Sequence, residues 1–200
     1  MAIIVDKEAK RRDIALSCRD LLQENGIGNL TVAQIAQAAG VGKGTIYEYF
    51  DNKEDIVFEI ITTFLDEDLK YLQELVTLPL STREKLLRFC TFRHENEQEG
   101  EKYQELFREF LAISLISKDP AMLRFSQEAR AAFRIILEQI LDEGVARGEL
   151  EERFRGAAES LIIFSTGMVV ESRLEGFDTQ QELNTILDLF FPTPTQGNPS

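Results

Sequence analysis

The chain has 200 residues, 44% of them apolar and 28% charged, with a net charge of −13. That length buries a core without disulfide or metal staples, and that mixture is neither too polar to collapse nor apolar enough to live in lipid. Two widely spaced cysteines, Cys18 and Cys90, read as reduced, small apolar residues, and with a single histidine, His94, no metal site or cofactor is expected.

The start, MAIIVDKEAKRR, lacks the long apolar stretch and small-residue cleavage site of a secretory signal, so a cytoplasmic location with no membrane partner is expected. Apolar residues then recur at i, i+3, i+4 and i+7 almost throughout, without period-two alternation, which predicts an all-α fold of about nine helices. The first spans about Lys7 to Asn25, with Ile14, Cys18, Leu21 and Leu22 on one face and Gly26 placed for a left-handed cap. Thr31 and Gln34 form a capping box for a second helix of about two turns, which buries Val32, Ile35, Ala36 and Ala39 and stops at Gly40. After the turn Gly40-Val41-Gly42, a third helix covers Lys43 to Phe50 with Ile46 and Phe50 inward. Asn52, followed by Asp55, opens a long fourth helix with Ile56, Val57, Ile60, Ile61, Phe64, Leu65 and Leu72 on one stripe, ending before Pro79.

Ser81 with Glu84 caps a fifth helix, and a polar break at 97–101 opens a sixth through Ile116. Asp119-Pro120 supplies an N-cap and first position for a long seventh helix ending near Gly148. The eighth spans roughly Phe154 to Glu175, and Thr179 with Glu182 caps a ninth that closes at Phe191-Pro192. Residues 193–200 read as a disordered tail.

Charge is unevenly spread. Residues 1–55 carry Lys7, Lys10, Arg11, Arg12, Arg19, Lys43 and Lys53 against nine acids, or −2, which leaves 15 bases against 26 acids, or −11, for the remainder. Such acidity argues against nucleic-acid binding over the whole surface and confines it to a local face. Residues 31–50 supply one: two short helices joined by a glycine-containing turn, the spacing of a helix-turn-helix, with Ala36 and Ala39 small enough for close approach. The second of them spends Lys43, Gly44, Thr45, Tyr47 and Tyr49 on solvent, groups that reach phosphates and base edges.

The stretch TVAQIAQAAGVGKGTIYEYFDNKEDI resembles the DNA-binding domain of the TetR family of transcriptional regulators, over roughly residues 10 to 60. The resemblance implies a DNA-binding domain at 1–55, a ligand-sensing and dimerisation domain at 56–192, and a homodimer on double-stranded operator DNA. It implies that Thr31, Tyr47, Tyr49 and Lys53 grip phosphates while Lys43, Gly44 and Thr45 face the major groove. Gly42 stands where a serine often caps, Glu48 where a histidine or another neutral residue is usual, and Asp51 where a base is common. For Glu48 the expected role is a solvated carboxylate, with acceptance from a cytosine amino group as the alternative.

Other chemistry finds little support. GVGKGT lacks the Walker spacing and follows a helix rather than a strand, and a single histidine builds neither a di-iron bundle nor a Ser/His/Asp set. An enzyme is not expected; the rival is an all-α ligand carrier or interaction module that no longer binds DNA.

Eleven of the fourteen phenylalanines lie beyond residue 80. Most fill a core, but a bundle rich in rings also houses apolar small molecules, and Phe89, Phe92, Phe107, Phe110, Phe133 and Phe164 are the candidate lining of an effector site implied by the resemblance. The predicted eighth helix, with LIIFSTGMVV at 161–170, is apolar around most of its circumference and needs partners on two sides. Ile163, Gly167, Val170, Leu187 and Phe190 are the candidate dimer contacts.

Overall fold

The computed structural model describes residues 6–26, 28–91, 97–118 and 120–191. Asp6 opens α1 (Lys7–Ser17) by accepting the Glu8 and Ala9 amides at 3.1 and 3.3 Å. The predicted first helix is two, because α2 (Arg19–Asn25) starts afresh after Cys18. The cause is local competition for one acceptor. Ser17 Oγ and Cys18 Sγ both donate to the Ile14 carbonyl, at 2.6 and 3.3 Å, and the Cys18 amide turns to Ala15 instead.

There follow α3 (Val32–Ala38), α4 (Lys43–Tyr49), α5 (Lys53–Thr77), α6 (Thr82–Thr91), α7 (Glu97–Ile116), α8 (Pro120–Ala146), a 3₁₀ turn (Glu152–Phe154), α9 (Ala158–Glu171) and α10 (Thr179–Phe190). Among the described residues the fold is therefore all-α, with ten α-helices and no strand. The Asn52 carboxamide caps α5 by accepting the Asp55 amide at 2.8 Å, and Ser81 accepts the Glu84 amide at 3.2 Å, both as the side-chain spacing predicts. Asp119 and residues 192–200 lie outside the described residues.

Three boundaries differ from expectation, one of them the end of α9, which stops at Glu171 rather than near Glu175. The eighth predicted helix begins at Ala158, not Phe154, because Phe154 closes the 3₁₀ turn and its ring stacks on Phe190 at 4.5 Å. The last helix is capped by Asp178, whose carboxylate accepts the Gln181 amide at 3.0 Å, and Thr179 becomes its first residue. A carboxylate at that place satisfies an orphan amide and also faces the positive end of the helix dipole.

The described residues fall into two compact units interleaved along the chain. One draws on the ranges Met1–Lys70 and Lys102–Ala129. There α1 packs on α2, α3 and α4, and Ile14, Ala15, Leu30, Ile35, Ile46, Phe50, Ile56 and Ile60 form the core. Val32 and Ala39, expected inside, are half-buried.

The other unit draws on Tyr71–Glu101 and Arg130–Ser200, and in it α6 packs on α9 and α10. Lys85 is only 1% exposed, and its ammonium donates to the Val76 carbonyl and the Glu143 carboxylate, each at 2.7 Å. Glu143 also pairs with Arg147, and Glu149 accepts the Thr82 amide at 2.6 Å. A Cβ at Gly144 would strike Thr82 and Leu150, so glycine is what lets α8 approach α6 here.

Candidate nucleic-acid interface

The helix-turn-helix is built as its sequence requires. Thr31 and Gln34 close a capping box, the Thr31 amide donating to Oε1 at 3.0 Å and the Gln34 amide to Oγ1 at 3.3 Å. Gly40 takes φ +64°, a conformation L side chains rarely adopt, and the Val41 amide returns to the Ala36 carbonyl at 2.9 Å. Gly42 then starts α4 in extended backbone, its carbonyl accepting from Thr45 and Ile46, with no side-chain cap.

Ile46 and Phe50 anchor α4 in the core, and this leaves Lys43, Gly44, Tyr47 and Glu48 exposed and Thr45 and Tyr49 half-buried. Tyr47, at 53% exposure, holds its phenol out on a rigid arm. Thr31 is exposed, but its hydroxyl already donates to Gln34 at 2.7 Å, inside the capping box. Lys53 begins α5, and its ammonium reaches the Gly28 carbonyl at 3.2 Å. All seven candidate DNA contacts thus belong to one unit, around the start of α3, the length of α4 and the start of α5.

A clamp that the sequence did not disclose holds this element together. The Arg11 guanidinium on α1 meets both Asp55 oxygens at 2.7 and 3.1 Å, Glu59 at 2.8 Å and the Tyr49 carbonyl at 2.7 Å. It also lies over the Phe50 ring, 4.4 Å from its centroid. One cation therefore ties α1, the end of α4 and the start of α5. The Arg11 hydrogen bonds hold the Asp55 carboxyl below the usual range, and burial opposes them. The Asp51 amide adds a further bond to Asp55 at 3.0 Å.

The candidate effector residues lie in both units. In the first, Phe58, Phe125, Phe110 and Phe107 form a chain of ring contacts with centroids 5.7 to 6.2 Å apart. Beside it, Gly26 ends α2 at φ +69°, with ψ 163° instead of a left-handed cap, and the Glu109 carboxylate of α7 occupies the place a Cβ would take. In the second unit Phe89 and Phe133 pair edge to face at 6.1 Å, and Phe164 is half-buried on α9. Phe92 lies outside the described residues.

Of the dimer candidates, Ile163 and Val170 are 64% and 55% exposed, and nothing lies within 4 Å of a Cβ built on Gly167. They share one stripe of α9 at i, i+4 and i+7. Leu187 and Phe190 are corrected: both are buried in the chain's own core, because they continue the inward i, i+4, i+7 row begun by Leu183. Leu189 is the outward apolar residue of α10.

A short, surface-held recognition helix behind a glycine turn defines a helix-turn-helix transcriptional regulator. Residues 17–60 match the family described as bacterial regulatory proteins, tetR family. It is 27% identical over 160 residues to the fatty acid metabolism regulator protein of Bacillus subtilis, 80% of each chain being covered. It is 28% identical over 142 residues to the transcriptional repressor KstR2 of Rhodococcus jostii, covering 71% of this chain and 68% of the relative. The fold is shared with the B. subtilis regulator FadR, solved with stearoyl-CoA, at a TM-score of 0.61 and 24% identity over 90% of this chain and 97% of that one. The chain is thus a DNA-binding regulator, in line with the regulator and repressor it is similar to.

Proposed function

We propose that the protein is a cytoplasmic repressor that binds an inverted-repeat operator as a homodimer and leaves it when an amphipathic effector with an apolar chain enters. The observation that carries this reading is the outward face of α4, where Lys43, Gly44 and Tyr47 stand exposed on a helix anchored by Ile46 and Phe50. In it Tyr47, Tyr49, Lys53 and Thr31 meet phosphates, and Lys43, Gly44 and Thr45 meet base edges. The exposed stripe Ile163, Gly167 and Val170 supports pairing of two copies, since an apolar face of this kind is otherwise left in water. Among the described residues no helix is long and apolar enough to cross a membrane.

The effector class follows from the similarity to a regulator of fatty acid metabolism and from the ring chain Phe58–Phe125–Phe110–Phe107. That chain touches α5, the helix that begins at the DNA-binding face, so an occupant among the rings biases how the face is held. Phe89, Phe133 and Phe164 remain candidate lining in the second unit.

Footprinting the purified protein on the DNA flanking its own gene, with and without a series of fatty acids and their coenzyme A thioesters, tests the proposal. The expected result is a protected inverted repeat, with half-sites about 34 Å apart, that long-chain members release. Absence of protection on any DNA would favour a ligand carrier or interaction module, for which the net charge of −13 and the acids Glu48 and Asp51 speak.

A further inference from the structure

The outward face of α4 has an acid at its centre. At about 100° per residue, Glu48 lies roughly opposite Ile46 and Phe50, the two residues that bury the helix. One turn earlier on the same face stands Gly44, and nothing lies within 4 Å of the place its Cβ would take. A helix bare at this point sits deep in a groove, and the residue one turn on then needs little reach to touch a base. Glu48 is exposed, and among the described residues it makes no hydrogen bond or ion pair, whereas Asp55 and Glu59 on α5 are both held by Arg11.

Resting on the DNA-binding reading above, we propose that Glu48 is a specificity-determining residue that selects a cytosine in each operator half-site. A carboxylate only accepts hydrogen bonds, and in the major groove only cytosine N4 and adenine N6 donate. Adenine sets its N7 lone pair beside that donor, and guanine N7 and O6 and thymine O4 repel a carboxylate outright. Cytosine N4 has an acceptor on one side only, the paired guanine O6, with its own C5–H on the other, whereas adenine N6 is flanked by acceptors on both sides, its own N7 and thymine O4. The phosphates on either side sharpen the choice, because an unpaired carboxylate between them weakens binding to every sequence that lacks the cytosine. The expected role of a purely solvated carboxylate is thereby replaced by one that acts for one sequence and against the others.

The test starts from an operator selected out of random duplexes by the wild-type protein. Fluorescence anisotropy at one salt concentration then compares all four base pairs at every half-site position for wild type, Glu48→Ala and Glu48→Gln, with circular dichroism to verify equal helicity. The expected result is one position at which wild type prefers C·G by about tenfold or more. Glu48→Ala flattens that position alone and tightens binding to nonspecific DNA, and Glu48→Gln moves the preference there toward A·T. A Glu48→Ala protein that tightens on all sequences by one factor and keeps every preference overturns the inference and leaves the DNA-binding reading standing. A wild-type protein that selects no sequence overturns both.

Discussion

Two outward helical faces of this chain are built from opposite materials. The exposed side of α4 carries an ammonium, a phenol, a carboxylate and bare backbone, while the exposed side of α9 carries Ile163, Gly167 and Val170. Neither face serves the interior of its own chain, and each suits a different kind of partner. A polar face exchanges water for the hydrogen-bonding groups of a charged polymer, and an apolar face gains only by excluding water against another such face. The supports differ as well. Behind α4 stands the directional Arg11 clamp, which fixes angle, whereas α9 rests on a core of Ala158, Leu161, Ile162, Met168 and Val169, which fixes distance.

The most damaging way to break the contrast is to give α9 a charge. A Cβ at Gly167 has open space around it, so a Gly167→Glu protomer should fold, but pairing would bury an unpaired carboxylate at a cost of several kcal/mol. Sedimentation should show monomers, and gel shift should show operator affinity lost although α4 is untouched. A folded dimer would reject the assigned face.

Next in size is the removal of a base-reading group: Lys43→Ala should cost about 1 to 3 kcal/mol and relax preference at one position, whereas Tyr47→Phe should weaken all sequences alike. A titration of matched and mismatched duplexes separates the two behaviours.

Arg11→Gln sharpens the contrast between the supports. It leaves Asp55 and Glu59 without their cation and should lower unfolding free energy by about 1 to 2 kcal/mol, the smaller figure reflecting partial exposure of the pair. Because Arg11 lowers the folded-state pKa of Asp55, the pair contributes fully above the ordinary Asp value of 3.8 and is lost as pH falls through that value and then through the lower folded one. Urea unfolding of wild type and variant should therefore differ most at neutral pH and converge only as pH falls below 3.8.

The smallest expected effect is at Asp51, exposed beside the end of α4. Asp51→Lys should tighten operator binding less than tenfold and steepen its log–log salt dependence by about one.

The DNA-binding element was legible because its information is local. Thr31 and Gln34 are three residues apart, Gly40 sits at the turn it makes possible, and Ile46 and Phe50 are one turn apart on one face. The Arg11 clamp was not legible, since 44 residues separate Arg11 from Asp55 and no pattern links them. The break at Cys18 was missed because the periodicity of Ile14, Cys18 and Leu22 runs straight through it, although two side chains compete for the Ile14 carbonyl. Leu187 and Phe190 were assigned outward for a related reason: on a helix apolar at 183, 186, 187, 189 and 190, composition says that two sides are covered without saying which side is the chain's own. Only the burial of Leu183 fixes the phase.

As the proposed effector site, the ring chain from Phe58 to Phe107 would set a threshold on what can enter it. Separating an edge-to-face pair forfeits about 1 kcal/mol beyond its buried area, and each methylene withdrawn from water returns about 0.8 kcal/mol. Opening the two edge-to-face contacts along this chain, Phe58–Phe125 and Phe110–Phe125, would demand about two to three methylenes before an acyl guest gains anything. On the proposed effector reading, the same rings that stabilise the protein would act as a ruler: short fatty acids would pass unnoticed, and sensitivity would rise steeply with each carbon once the threshold is crossed.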